Sequence, residues 1–320
     1  MKLDILVFFF ATVGALTRPG PPLISKRVLR VAPAANHSLY KLSSNTGIPN
    51  HGICAKYCKS EECLSFSYTV GEQTCETYSR LIEEASDADI AMSTMYFSRV
   101  VLRSCADVPH MYHSGVYKIT TTEQTKLDVY CDMDTADGPW TVIHRRTKGD
   151  VDFYRKWADY KKGFGDIHGD FWIGNDNLHL LTNTSRKLRV QLKAWDGTWG
   201  YAEYTNFQVA DETQNYKLLV NGFSGNVSYN AMEISNGRMF TTIDRDHDHG
   251  SGNCAAYAKS GWWHRKCAWA NLNGVYHTLA DMNTYKSYQT YGGDFAMRWA
   301  YFPDPSIARY PLEKAKMMIR

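Results

Sequence analysis

Polar and apolar residues alternate through Lys187-Leu188-Arg189-Val190-Gln191-Leu192-Lys193-Ala194-Trp195. A period of two predicts a strand with one buried face. Tyr216-Lys217-Leu218-Leu219-Val220 runs into Asn221-Gly222, which predicts a second strand entering a tight turn. The period lengthens where Phe153, Trp157 and Tyr160 stand at i, i+4 and i+7. With Asp152 as start and Gly163 as stop, that spacing predicts a short amphipathic helix. Nearer the start of the sequence, Leu64-Ser65-Phe66-Ser67-Tyr68 reads as a short strand, and Cys54 and Cys58 lie one helical turn apart. From Ser104 onwards turn residues are frequent, and the elements together imply an α+β fold with an antiparallel sheet, short helices and long loops. No heptad run and no Gly-X-Y repeat occurs, so the usual fibrous stalks are not encoded here.

A chain of 320 residues with 44% hydrophobic content is globular and long enough for two domains of ordinary size. Its 36 basic and 33 acidic side chains leave a net charge of +3. No long Lys/Arg run appears, which argues against a nucleic-acid partner. Residues 1–17 combine Lys2, an apolar run from Ile5 and small residues at Val13, Gly14 and Ala15, the pattern of a cleaved secretory signal. The run falls short of the roughly 20 residues that span a bilayer, and no later segment reads as transmembrane. Residues 18–30 begin RPGPPLISKR, a basic, Pro-rich linker expected to lack a core of its own. A small domain is expected over residues 31–101 and a larger one over 102–320. For a secreted, extracellular protein the sequons at Asn36, Asn183 and Asn226 are candidate glycan acceptors.

Eight cysteines, an even number, suit that oxidising compartment. No C-x-x-C occurs, so neither a zinc ribbon nor a thioredoxin-type motif is encoded. Cys54, Cys58, Cys63 and Cys75 form C-x3-C-x4-C-x-S-F-S-Y-x6-C, a spacing that by itself allows three pairings. Cysteines on a short helix, stapled to a neighbouring extended segment, can hold a domain too small to stabilise itself by burial. The arrangement resembles a PAN/apple module, in which disulfides tie a helix to a strand of a curved sheet. That resemblance implies nested pairs, Cys54–Cys75 and Cys58–Cys63; the outer pair of many apple domains is missing.

Further on, Ser104-Cys105-Ala106-Asp107-Val108, Val129-Tyr130-Cys131-Asp132-Met133, Gly138-Pro139-Trp140-Thr141, Phe171-Trp172-Ile173-Gly174-Asn175-Asp176-Asn177, Asn253-Cys254, Gly261-Trp262-Trp263 and Asn271-Leu272-Asn273-Gly274 follow in order. Together they resemble the fibrinogen C-terminal domain over about two-thirds of the sequence. The expected architecture is therefore a fibrinogen-like α+β domain preceded by a small disulfide-stapled PAN/apple-like α+β domain. The resemblance implies disulfides Cys105–Cys131 and Cys254–Cys267, each worth on the order of 3 kcal/mol in the chain-entropy model. One departure stands out: Phe302-Pro303-Asp304-Pro305-Ser306 precedes the closing Lys316-Met317-Met318-Ile319-Arg320, which implies an insertion beside the ligand-bearing face.

The loop DRDHDHGSGNC, residues 244–254, sets carboxylates at alternate positions, a pattern that suits hard Ca²⁺. It is not an EF-hand, because Gly250 falls one place late and Ala255 stands where the bidentate Glu belongs. The family resemblance implies side-chain ligands Asp246 and Asp248 and carbonyl ligands Gly250 and Gly252, with Asp244 as a supporting hydrogen-bond group. A solvated acidic loop is one alternative. Zinc or copper on His247 and His249 is another, although alternation would turn those two rings to solvent if the aspartates converge.

In fibrinogen-like lectins the loop between the second pair of cysteines forms a shallow acetyl pocket, often shaped by a cis peptide that here would join Lys266 to Cys267. The polar clamps of such pockets fall on Ala258, Ala268 and, in approximate register, Leu279, so acetyl specificity is not expected. Tyr257 and Trp269 offer an aromatic wall or, equally, buried packing. Trp262 and Trp263 read as core residues.

No H-E-x-x-H, G-x-S-x-G or Walker loop occurs, so an enzyme is not expected. The first binding reading is a secreted, calcium-dependent, lectin-like protein of innate immunity that binds carbohydrate, glycoprotein or microbial surfaces, with the PAN/apple module adding avidity. The alternative is an adhesion, matrix or receptor-ligand protein whose fibrinogen-like domain docks extracellular proteins. Oligomeric state is not legible.

Overall fold

A computed structural model of the protein describes residues 25–27, 41–49, 53–54, 65–69, 72–78, 94–99, 102–108, 113–121, 125–278, 280–281 and 295–320. The secretory-signal pattern, Asn36, Cys58, Cys63 and Leu279 lie outside the described residues. The chain divides into two compact units, Met1–Val101 and Leu102–Arg320.

In the first unit, β1 (Ser25–Arg27), β2 (Lys41–Asn45), β3 (Ser65–Thr69), β4 (Thr74–Tyr78) and β5 (Thr94–Arg99) form an antiparallel sheet in the order β1-β5-β3-β4-β2. Buried Cys54 is bonded to Cys75 on β4. Tyr68 on β3 is buried, and its hydroxyl donates to the Ile48 carbonyl at 2.8 Å. β1 corrects the linker expectation over part of its length: Ser25, Lys26 and Arg27 pair with Arg99, Ser98 and Phe97. A sheet edge offers backbone groups to any extended segment, and a polar sequence meets that demand without a hydrophobic pattern.

Among the described residues, the main sheet of the second unit has nine strands. They are β6 (Gly115–Thr120), β7 (Lys126–Asp132), β8 (Trp140–Arg146), β9 (Phe164–Gly165), β10 (Phe171–Trp172), β11 (Arg186–Ala194), β12 (Trp199–Val209), β13 (Leu218–Gly225) and, after the two-stranded β14 (Ala270–Asn271) and β15 (Arg298–Trp299), β16 (Leu312–Ile319). The closing residues of the sequence are interior to the sheet, since β16 lies between β11 and β8. Leu188, Val190, Leu192 and Ala194 on β11 are fully buried, as their alternation requires. α2 (Asn175–Leu181) packs against β12 and α1 (Trp157–Lys162) against α2, beside a buried aromatic cluster in which Phe240 and Trp263 meet at 5.2 Å and Tyr160 and Phe240 at 5.1 Å. Trp262 and Trp263 are both fully buried. Cys105 is bonded to Cys131 on β7.

Two local expectations are corrected. The helix expected from Asp152 begins at Trp157, because the Asp152 carboxylate accepts the Tyr154 N–H at 2.8 Å and holds a turn there instead. Gly163 does end it, at φ 92°. The turn expected at Asn221-Gly222 is continuous strand: β13 runs through both residues, and Asn221 accepts a hydrogen bond from Asn206 across the pair at 2.7 Å.

Candidate functional site

Residues 241–254 cross the end of the aromatic cluster as an irregular loop fastened at several points. Thr241 and Trp262 form a bridge, and Thr242 exchanges main-chain hydrogen bonds with Arg245 at 2.9 and 3.2 Å. Asp244 points back to α1, accepting the Trp157 N–H and the Thr242 hydroxyl, both at 2.8 Å. Burial pushes its carboxyl up, but those hydrogen bonds outweigh it and hold the pKa below the usual carboxylate value. Its charge is spent on seating the helix.

Asp246 and Asp248 organise the rest of the loop. Asp246 Oδ1 accepts the Asp248 N–H at 3.1 Å; Asp248 Oδ1 and Oδ2 accept the N–H groups of Gly250 and Cys254 at 2.6 and 2.7 Å. A Cβ built on Gly250 would stand 2.9 Å from both Asp248 Oδ1 and the Gly252 carbonyl oxygen. Those two oxygens therefore converge on a point that only glycine leaves open. Each carboxylate oxygen keeps lone-pair capacity beyond the one N–H it accepts. An all-oxygen set of two carboxylates and main-chain carbonyls fits Ca²⁺. Among the described residues no group of three or more His, Cys, Asp or Glu could hold a metal, so a site here depends on the carbonyls of Gly250 and Gly252.

The histidines behave differently from each other. His249 is exposed, with its ring nitrogens 3.3 and 3.4 Å from an Arg238 guanidinium nitrogen. His247 turns inward, correcting the expectation that both face solvent: Nδ1 donates to the Phe240 carbonyl at 2.8 Å, and the ring stands edge-on to Trp157 at 5.3 Å. Strict alternation fails because the loop is not extended. Neither ring belongs to a group of three or more His, Cys, Asp or Glu that could hold a metal among the described residues.

After the loop comes α3 (Cys254–Ala258), capped by Asn253, whose Oδ1 accepts the Ala256 N–H at 3.0 Å. Cys254 is bonded to Cys267, and the Lys266–Cys267 peptide is cis. Here a cavity of about 760 Å³ opens, and all six residues proposed from sequence as a ligand pocket, Tyr257, Ala258, Lys266, Cys267, Ala268 and Trp269, line it. Gly250 and Gly252 border it too. Tyr257 is 61% exposed at the mouth, whereas Ala258 is 2% exposed. Trp269 takes both roles considered for it, lining the cavity while stacking on Tyr229 at 4.6 Å and 21°.

Sequence reasoning missed Arg298, Tyr301 and Arg309, which also line the cavity. Arg298 is nearly buried and donates to the carbonyls of Ala268 at 2.7 Å, Trp269 at 3.2 Å and Ala308 at 3.4 Å. It thus ties the disulfide loop to the inserted segment. Phe302 anchors that segment: a Cβ on Gly200 would meet its ring at 2.4 Å. The proline-containing insertion was the available signal, because its flanks supply Tyr301 and Arg309. Of the sequons, Asn226 is exposed at the end of β13 and its Oδ1 accepts the Tyr201 N–H at 2.7 Å; Asn183 is half-buried.

Residues 101–320 match the family model of the C-terminal globular domain of fibrinogen beta and gamma chains. The protein belongs to that family. Residues 35–100 match the PAN domain. Human angiopoietin-related protein 7 is 42% identical over 210 residues, 65% of this chain and 58% of the relative. Human angiopoietin-4 is 38% identical over 75% of this chain and 46% of its own length, and ryncolin-4 of Cerberus rynchops is 43% identical over 55% and 52%. The chain thus spans about half the length of the curated relatives it matches. Among solved structures, the fibrinogen-like globe domain of human ANGPTL2 matches with a TM-score of 0.62 at 38% identity, covering 68% of this chain and 98% of that domain. The lamprey fibrin D-dimer complexed with the peptide Gly-His-Arg-Pro-amide matches with a TM-score of 0.60 at 28% identity, covering 69% of this chain and 74% of its own. No helix among the described residues is long and apolar enough to cross a membrane.

Proposed function

We propose that this protein is a secreted, non-enzymatic recognition molecule whose fibrinogen-like unit docks another extracellular protein in the cavity between α3, the disulfide loop and the inserted segment. The observation that carries this reading is the cavity's lining: alanines at 258 and 268 replace polar clamps, beside an aromatic wall. Such a lining suits side chains of a partner better than the hydroxyls of a sugar. The angiopoietin-type relatives and the peptide-bound fibrin D-dimer support it. Asp246 and Asp248, with the carbonyls of Gly250 and Gly252, would hold Ca²⁺. The ion's part is to neutralise the clustered carboxylates and stiffen one rim. The PAN unit serves as a second contact, adding avidity.

The test is a binding screen of the full-length protein against extracellular ectodomains, native and enzymatically deglycosylated, in calcium and in EDTA. Ala256 is exposed at the cavity edge, so Ala256→Trp should obstruct it without disturbing the core. Expected is calcium-dependent capture of at least one ectodomain, indifferent to deglycosylation and reduced about tenfold or more by Ala256→Trp. Capture that vanishes with the glycans, or that ignores the obstruction, rules the reading out.

A further inference from the structure

Strand β13 ends the main sheet, and among the described residues it pairs with β12 alone. The beginning of its outer edge is covered. There the Leu218 N–H donates to the Arg238 carbonyl at 2.9 Å, the Gly237 N–H to the Leu218 carbonyl at 2.8 Å, and the Val220 N–H to Asn236 Oδ1 at 2.9 Å. Past Val220 no such cover follows among the described residues, and Asn221, Gly222, Ser224 and Gly225 are exposed. A bare edge presents main-chain donors and acceptors to any extended segment, above all to the same edge of a second copy.

Soluble proteins blunt such edges with lysine, proline or an inward-pointing charge. None is present here: Leu218 to Ser228 reads LLVNGFSGNVS, without a charge or a proline, and Leu219 is 41% exposed. Gly222, at φ 75°, perturbs the strand but adds neither bulk nor charge. What the sequence does place there is the sequon Asn226-Val227-Ser228, which begins directly after β13 ends at Gly225. Val227 is buried and anchors the chain at that point. Asn226 Oδ1 accepts the Tyr201 N–H from β12 at 2.7 Å, so the acceptor end of the amide is held by the sheet. Nδ2, the atom to which a glycan is joined, is left on an exposed side chain. Gly222 lies about 13 Å back along the strand at 3.3 Å per extended residue, so a branched glycan rooted at Asn226 reaches over the whole bare stretch.

We propose that Asn226 carries an N-linked glycan that guards the outer edge of β13 and keeps two copies of the chain from joining their sheets edge to edge. The inference goes beyond the docking reading of the cavity and rests only on its premise of secretion. In the modification, an oligosaccharide passes from a polyisoprenyl diphosphate donor to the asparagine. A bond forms between Asn226 Nδ2 and the anomeric carbon, the anomeric C–O bond breaks with its electron pair leaving on the diphosphate, and one amide proton is released. Ser228 completes the acceptor motif. Once attached, the bulky, hydrated glycan excludes a second strand from the edge. Without it, Asn221 to Gly225 of two copies would pair about a two-fold axis.

The test uses the full-length protein expressed in cultured eukaryotic cells, with glycopeptide mass mapping at Asn226 and sedimentation equilibrium to count chains per particle. The secreted parent should carry a glycan at Asn226. For Asn226→Gln the number of chains per particle should rise with concentration to about twice the parent's. Ser224→Lys on the Asn226→Gln background charges the bare edge and should restore the parent's number. Ala158→Lys on that background, the same charge at an exposed position of α1, should not, and Asn183→Gln in the parent should change nothing. A secreted chain unmodified at Asn226 overturns the proposal. So does Asn226→Gln with the parent's number of chains, which would mean that the backbone at Gly222 is enough to spoil the edge. Association that Ser224→Lys does not reverse, or that Ala158→Lys reverses equally, overturns it by placing the contact elsewhere. A chain retained inside the cell with no glycan at any sequon removes the premise of secretion, and this proposal with it.

Discussion

His264 shows how strongly a single buried imidazole couples the site to pH. It is fully buried in the loop closed by Cys254 and Cys267, and its Nε2 donates to the Ser260 carbonyl at 3.2 Å. Burial drives its pKa down to about 4, against a weaker upward pull from the Ser260 hydrogen bond. In the unfolded state the imidazole titrates near 6.5. Between those values the unfolded state binds a proton that the folded state refuses, so stability falls as pH drops through that window and is untouched above it. The full loss is about 3 kcal/mol, from a shift of roughly two units or more. Urea unfolding at pH 7 and pH 4.5 should show a fall for the parent that exceeds the fall for His264→Gln by about 2–3 kcal/mol. Equal falls in the two proteins would mean that the ring is hydrated in the folded state.

At the scale of elements, Gly222 carries the sharpest constraint. It has φ 75° within β13, and a Cβ there would come 1.9 Å from Thr205 Oγ1 on β12. Both backbone strain and collision oppose a side chain, so Gly222→Ala should cost about 2 kcal/mol. Repeating it on a Thr205→Ala background should recover the collision part but not the strain, a coupling that a double-mutant cycle measures. Full additivity would show that the two residues do not press on each other. The same glycine explains why the sequence alone places a turn inside β13. Asn-Gly is a strong hairpin signal, yet glycine also enters strands where two backbones approach closely, and only the partner strand distinguishes the cases. The start of α1 is hidden for a similar reason: the Trp157 N–H is accepted by Asp244, far along the sequence. By contrast β11, with its own alternation, is legible to within one residue.

Across the whole molecule, local spacing and family resemblance expose the acidic loop and the disulfide-loop wall of the cavity, because those residues lie close together in sequence. The wall made by Arg298, Tyr301 and Arg309 is not legible, because Arg298 acts on carbonyls about thirty positions away. Calcium should make the coupling of these parts measurable. If Asp246, Asp248, Gly250 and Gly252 hold the ion only when folded, free calcium at a hundred times its dissociation constant should stabilise the fold by about 2.7 kcal/mol. All 9 tryptophans lie between Trp140 and Trp299, so tryptophan fluorescence during urea unfolding reports the fibrinogen-like unit alone. Asp248→Asn replaces an acceptor of the Gly250 or Cys254 N–H with a donor, and is expected to lower stability even in EDTA. Its diagnostic quantity is therefore the increment between EDTA and calcium, which should vanish. Asp246→Asn, at an exposed position, should lose most of the increment with little cost in EDTA. A parent protein whose unfolding midpoint is the same in EDTA and in millimolar calcium would mean that the loop's own N–H bonds to Asp248 suffice to hold it, and that no ion is bound there.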